Sequence, residues 1–365
     1  VKTIGNEAFT GCSSLTDVIM GEGITTINSG MFENCTSLKE VKFPASISSI
    51  EYDIFTGCSA MENFVFAEGN TKYSAEDGIL YNAKKTTLYK NILDQYDVFV
   101  VPDTVTTISS NAFENCSNLN KVIIPGNVQY IDSSAFTTCN NLEEIVYNPD
   151  SKITDVASNL FYNCTALESY TCPDSLIRMG NYAFYGCTAL KNVKFNQKLT
   201  YIGYQTFYGC TSLEEIHVSG NIQTIYGYAF QDCINLKHIV LEEGFQTFKS
   251  YVFYGCTNLE SLVVPRTVTA DFSNVFDSNA YVTIYGYKDS MAETTANSLK
   301  FPFVQMGDMN GDLAVSDNDY ETMTNIANSA TQPTKEQEIA ADMTCDGVVD
   351  GFDAIYADLY KNEMI

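Results

Sequence analysis

A chain of 365 residues is too long for one ordinary core, and a content of 45% apolar, 13% aromatic and 18% charged residues is that of folded protein, so several domains or a repeat array are expected. With 20 basic residues against 45 acidic ones, a formal charge of -25 and a pI near 4.2, the chain should repel phosphate backbones and anionic lipid, which excludes nucleic acid as a natural partner. No stretch approaches the roughly 18 uncharged apolar residues of a membrane span, and Val1-Lys2-Thr3-Ile4 lacks the regions of a signal peptide; it enters mid-repeat, as a mature fragment or a trimmed chain would.

From the first residues onward the sequence repeats. Of 12 cysteines, Cys12, Cys35, Cys58, Cys116, Cys139, Cys164, Cys187, Cys210, Cys233 and Cys256 recur at intervals of 23 residues, apart from one of 25 and one of 58. Only Cys172 and Cys345 fall outside this ladder. Stacked coils set equivalent positions about 4.8 Å apart with parallel side chains, whereas a disulfide needs converging Cβ atoms about 3.8 Å apart. The ladder therefore reads as buried free thiols acting as small hydrophobes. Each unit also carries a Phe, and Phe9, Phe32, Phe55, Phe113, Phe136, Phe161, Phe184, Phe207, Phe230, Phe253 and Phe276 should stack as the column of a solenoid core.

The segment Ala112-Phe113, Cys116, Leu119, Val122-Ile123-Ile124-Pro125, Val128, Ile131, Ala135-Phe136 shows one full turn. With these residues the sequence resembles the bacterial surface-antigen (BspA-like) class of leucine-rich repeat over most of residues 1–305. That resemblance implies a curved right-handed leucine-rich-repeat solenoid with one short strand per coil of about 23 residues. It further implies use in adhesion or protein binding, without a shared catalytic site. Between Cys58 and Cys116 the period breaks. Residues 70–102, with Tyr73, Asp77-Gly78-Ile79-Leu80-Tyr81-Asn82 and Leu88-Tyr89, read as an inserted β-hairpin, similar to an insertion recurrent in that class and either a binding feature or a tolerated decoration. The array should end where Asn279 replaces the Cys, in a cap at about 280–305 made of the strand Val282-Thr283-Ile284-Tyr285 and a helix from about Ser290 to Lys300.

Two surfaces of this solenoid are candidates for ligands. By strand alternation, Lys42, Val65, Ile123, Val146, Lys194, His217, Val240 and Val263 face outward, an apolar row for a solvent face. Its bland reading is that Glu143, Glu214 and Lys237 shade it. Tyrosines follow the core Phe at Tyr162, Tyr185, Tyr208 and Tyr254 and precede it at Tyr182, Tyr228 and Tyr251; they read as packing over the core edge, or as a platform for glycans or peptides. Catalysis finds little support, because the two histidines, His217 and His238, sit at different offsets from their repeat cysteines and no GxSxG, HExxH or phosphate loop is present.

After Phe303 the composition shifts, and from Asp308 onward thirteen Asp/Glu face only Lys335 and Lys361. Asp308, Asn310, Asp312, Ser316 and Asp319 fill positions 1, 3, 5, 9 and 12 of a twelve-residue loop, with the carbonyl of Ala314 at position 7. Asp342, Thr344, Asp346, Asp350 and Asp353 repeat the pattern, with the carbonyl of Val348 at position 7 and Gly347 at the sharp turn. This alternation lets one turning backbone aim hard oxygens at a Ca²⁺ ion. Tyr320, Met323 and Ile326, and again Ile355, Tyr356, Leu359 and Tyr360, follow with helical spacing. Two calcium loops, each followed by one helix and neither preceded by one, resemble a dockerin over residues 306–365. Gly307-Asp308-Met309-Asn310-Gly311-Asp312 and Cys345-Asp346-Gly347-Val348-Val349-Asp350-Gly351-Phe352-Asp353 carry that resemblance. Leu313 departs from it where the first loop should have glycine, Thr344 stands in for Asn/Asp and should weaken the second site, and Cys345 is not a ligand position.

The dockerin resemblance implies a small all-α module that holds two calcium ions and binds the cohesin domain of a scaffoldin, as an extracellular, cellulosome-type component attached to a scaffold or cell surface. Contacts are expected from Asp317, Asn318, Tyr320 and Met323 in the first half and from Phe352, Ile355, Tyr356, Leu359 and Tyr360 in the second; Gly351 also lies near that set. Asp317-Asn318 is polar and Gly351-Phe352 apolar, so a single binding orientation is expected. The competing readings are a cell-surface adhesin with a stabilising acidic tail and, with least support, a polysaccharide-degrading enzyme, which would need a paired-carboxylate cleft.

Overall fold

The computed structural model describes residues 2–51, 54–92, 94–310, 315–328 and 332–343 and the single positions 349, 353 and 357. Two compact units make up the chain, Val1–Ile153 and Thr154–Ile365.

In the first unit, parallel strands stack one per coil: Asp17–Ile19, Glu40–Phe43 and Asn63–Phe66 form one sheet, and Val98–Val100, Lys121–Ile124 and Glu144–Tyr147 another. Val41 pairs with Val18 and Phe64, so the repeat in sequence becomes the register of the sheet. Besides this expected strand, coils carry a second one of two residues, such as Thr107–Ile108 beside Tyr130–Ile131. Inside, the rings of Phe9, Phe32 and Phe55 follow each other at 5.6 and 5.8 Å, and those of Phe113 and Phe136 at 5.1 Å. The insertion has three antiparallel strands rather than two, Tyr73–Glu76, Ile79–Asn82 and Thr87–Asn91. The third pairs in parallel with Thr107–Ile108, so the excursion ends by rejoining the solenoid ladder.

The second unit continues the same coil grammar within itself. Phe161, Phe184, Phe207, Phe230 and Phe253 are spaced 5.2, 5.3, 5.1 and 6.0 Å apart, each almost fully buried. The parallel sheet Glu215–Val218, His238–Leu241, Ser261–Val263, Thr283–Gly286 and Phe303–Gln305 runs to the end of the array. Helix α1, Met291–Leu299, follows Ser290 as its N-cap and stops where Lys300 turns left-handed at φ 58.

Two features of the coil were not visible as rules in the sequence. The residue before each repeat cysteine adopts positive φ, at Gly57 (74°), Asn115 (60°), Thr138 (56°) and Asp232 (57°) among others, which explains the recurrence of Gly, Asn and Asp there. The cysteine thiol then donates to the carbonyl of the Phe one coil earlier, from Cys139 to Phe113 at 2.9 Å and from Cys233 to Phe207 at 3.1 Å. Every described cysteine is free, and all but Cys12 are buried. Burial pushes the Cys58 thiol up to about 11 and that of Cys172 up to about 12. The ladder cysteines are therefore packing positions, as the spacing predicts, and hydrogen-bonding positions as well.

The C-terminal region brings two corrections. Helix α2 spans Asp317–Ala327, as the helical spacing predicts, but a further helix, α3, occupies Lys335–Ala341, directly ahead of the second loop, where no leading helix was expected. Its signal was in the sequence: Thr334 and Gln337 form a reciprocal capping box, with Gln337 N donating to Thr334 Oγ1 at 3.2 Å and Thr334 N to Gln337 Oε1 at 3.1 Å. The second correction concerns the outward row. Val240 and Val263 are not open to solvent but 6% and 2% exposed, because they share one apolar core with Tyr285, Tyr287, Met306, Met309, Met323, Ile326, Ile339, Met343 and Ala357.

Candidate metal loops and the solenoid face beneath them

Both ends of both acidic loops are buried: Asp308, Asp319, Asp342 and Asp353 are 4%, 0%, 6% and 0% exposed. A carboxylate so far from water must be met by donors or by a cation. For Asp319 the donors are visible. Met309 N reaches Oδ1 at 2.8 Å, while Ser316 N and Ser316 Oγ reach Oδ2 at 2.9 and 2.7 Å, so one carboxylate closes the first loop and caps α2. Hard oxygens buried at loop positions 1 and 12 suit Ca²⁺ in their chemistry. Asp312, Ala314, Thr344, Asp346, Val348 and Asp350 lie outside the described residues, as do Leu313, Cys345 and Gly347. Among the described residues, no group of three or more His, Cys, Asp or Glu is gathered for a metal ion.

The loops are tied to the solenoid. Tyr287, just past the strand Thr283–Gly286, donates its buried hydroxyl to the carbonyl of Met343 at 2.6 Å, one residue after Asp342. The guanidinium of Arg266 lies 4.2 Å from the centre of the same ring and helps to hold it. Gly307 N donates to Ala340 O at 2.8 Å, joining the start of the first loop to α3. At the other end of α3, Lys335 stands 3.7 Å from Glu215, whose Oε1 also accepts from His217 Nε2 at 2.9 Å. The His217 hydrogen bond, with help from Lys335, lowers the Glu215 carboxyl from 4.5 to about 2 against the opposing effect of burial.

Of the partner contacts expected in the first half, Asp317 and Asn318 are exposed and Tyr320 is half-buried. Met323 is fully buried in the shared core. Phe352, Ile355, Tyr356, Leu359 and Tyr360, together with Gly351, lie outside the described residues.

Elsewhere the surface is less suited to ligands than the sequence suggests. Tyr162, Tyr185 and Tyr208 stack face to face at 4.7 and 4.4 Å, so both faces of Tyr185 and one face each of Tyr162 and Tyr208 are covered. Tyr182, Tyr204, Tyr228 and Tyr251 form a second row at 5.6, 5.7 and 5.2 Å, with Tyr204 joining from a different offset. Strand register places His238 Nδ1 2.8 Å from Ser261 Oγ, with Glu260 4.0 Å from the same ring. Ser261 is only 4% exposed and Glu260 is beyond hydrogen-bond reach, so the trio does not present an attacking oxygen to a substrate. In the first unit, a cavity of about 830 Å³ opens where the insertion interrupts the coils, lined by Tyr73, Tyr89, Lys90, Asn91, Glu114 and Asp132 among others. No helix among the described residues is long and apolar enough to cross a membrane.

Comparison with known proteins matches these two parts separately. The family described as the BspA type leucine-rich repeat region matches in six copies over residues 1–89, 87–180 and 154–283, and the dockerin type I domain matches residues 306–356. Neither is a catalytic family. A leucine-rich repeat protein from Eubacterium ventriosum is similar in structure with a TM-score of 0.51 and 22% identity, over 70% of this chain and 68% of that one. A leucine-rich cell surface protein from Faecalibacterium prausnitzii gives 0.46 and 24%, over 64% and 62%. The curated proteins contain no match.

Proposed function

The chain belongs to the BspA-type leucine-rich-repeat family and carries a dockerin type I region, and from that premise we propose that it is an extracellular, non-catalytic component held by calcium-dependent docking to a cohesin on a bacterial scaffold. The boundary between repeat array and dockerin falls near residue 306. Asp308, Asn310, Asp312, Ser316, Asp319 and the Ala314 carbonyl hold one ion, and Asp342, Thr344, Asp346, Asp350, Asp353 and the Val348 carbonyl a second. The observation that carries this reading is the burial of the carboxylates at positions 1 and 12 of both loops within the dockerin match. Acidic side chains set at alternate positions of one short loop repel one another until a divalent cation neutralises them, so metal binding and folding of the loops are one event.

The cohesin approaches from the side of the module away from the shared core. Asp317 and Asn318 meet it from the first half, with Phe352, Ile355, Tyr356, Leu359 and Tyr360 from the second. The rest of the chain's binding capacity is the solenoid, whose outward row in the first unit, Lys42 exposed and Val65, Ile123 and Val146 half-buried, is the surface offered to a protein ligand. Pull-down of the full chain with cohesin domains, with and without EDTA, tests the docking. Capture in calcium and release in chelator is the expected result; capture that persists in chelator refutes the calcium dependence, and no capture by any cohesin refutes the docking.

A further inference from the structure

The outward row of the last coils is occupied by the chain itself. Val240 pairs in register with Val263, and Val263 with Tyr285, so three outward side chains stand side by side on adjacent strands. All three are buried in the core that also holds Met323 of α2 and Ile339 of α3. A polar frame surrounds this apolar centre, with Lys335 near Glu215 at one side and the Tyr287 hydroxyl on the Met343 carbonyl at the other.

We propose that this row is the receptor for the chain's own C-terminal module, and that it tightens calcium binding by fixing the start of the second loop before the ion arrives. The inference rests on the calcium reading of the loops given above. Position 1 of that loop is Asp342, and its neighbour Met343 is held on both sides: its carbonyl by Tyr287, its side chain in the shared core. Ordering a loop backbone costs about 1–2 kcal/mol of conformational entropy per residue. A loop whose first residues are already ordered by the solenoid does not meet that cost again when it closes on metal. By linkage the effect is reciprocal, so calcium must strengthen the seating of the module on the coils by the same factor.

The test is calcium titration calorimetry on the full chain and on three full-length variants. Tyr287→Phe keeps the ring against Arg266 and removes only the hydroxyl; losing one buried hydrogen bond of ordinary strength corresponds to an apparent calcium affinity about fivefold weaker. Val263→Thr places a hydroxyl in the apolar centre and should weaken calcium binding in the same direction. Val146→Thr, at the half-buried outward position of the first unit and away from the shared core, should leave the isotherm unchanged. Should Val263→Thr fail to fold, Tyr287→Phe decides alone. Isotherms of Tyr287→Phe that match the unmodified chain overturn the coupling while leaving the calcium reading intact, and a chain that takes up no calcium overturns both. Because no cohesin enters the titration, a Tyr287-dependent affinity upholds the coupling even in a chain that binds no cohesin.

Discussion

In the first unit, the outward row runs through Ile123 and Val146, both half-buried and paired with each other, and Ile123 also pairs with Val100, which is 59% exposed. In the second, the same coil position places Val240 and Val263 beneath helices at 6% and 2% exposure. The side chains are alike and the strands are alike; what differs is whether a later part of the same unit returns to cover them. An apolar stripe on a repeat surface therefore marks a place that can be covered, and its occupant has to be found among all the segments available, those of the same chain first. The adhesive reading of the row is thereby confined to its open stretch in the first unit.

Inward, the two units should behave identically, and the largest expected effect tests that sameness. Phe136→Ala and Phe207→Ala, both fully buried in their columns, should each cost about 3–5 kcal/mol in urea denaturation. A clear difference between them would show that the columns are not equivalent. Outward, the units should part. Val263→Ala should cost about 2 kcal/mol and Val146→Ala less than about 0.5 kcal/mol, and equal costs would break the contrast between covered and open rows.

The smallest effect is electrostatic and belongs to the covered row alone. The folded-state pKa of Glu215 is depressed from 4.5 to about 2, so its contribution is fully present above the ordinary carboxylate range and is lost as pH falls through about 2. The melting temperature of the unmodified chain should exceed that of Glu215→Gln near neutral pH, and the gap should close between pH 4.5 and pH 2. A gap that persists at the acid end would assign the difference to packing rather than to the carboxylate. Glu215 is part-exposed, so solvent screening keeps this effect modest.

Much of the molecule was legible in advance because a repeat states its rule many times. The interval between cysteines became strand register, the Phe positions became the ring columns, and the described parallel thiols at coil spacing formed no disulfide. The helix ahead of the second loop was legible too, in the capping pair Thr334 and Gln337, although the resemblance to loop-helix halves implies no such helix. The left-handed residue before each cysteine was half legible: Gly, Asn and Asp advertise it, while Thr138 obeys the backbone without carrying the signal.

By itself, then, the sequence determined the side-chain stacking that recurs from one coil to the next, since identical side chains at a fixed interval can satisfy only one stacking. It also determined the chemistry of the acidic loops, because alternate oxygens on a turning backbone are a local property. Only the tertiary structure decided that Val240 and Val263 are covered, that Met323 turns into a shared core and that Tyr287 reaches Met343. Those pairings join residues that are far apart in the chain and occur once, and a contact made once leaves no period in a sequence to read.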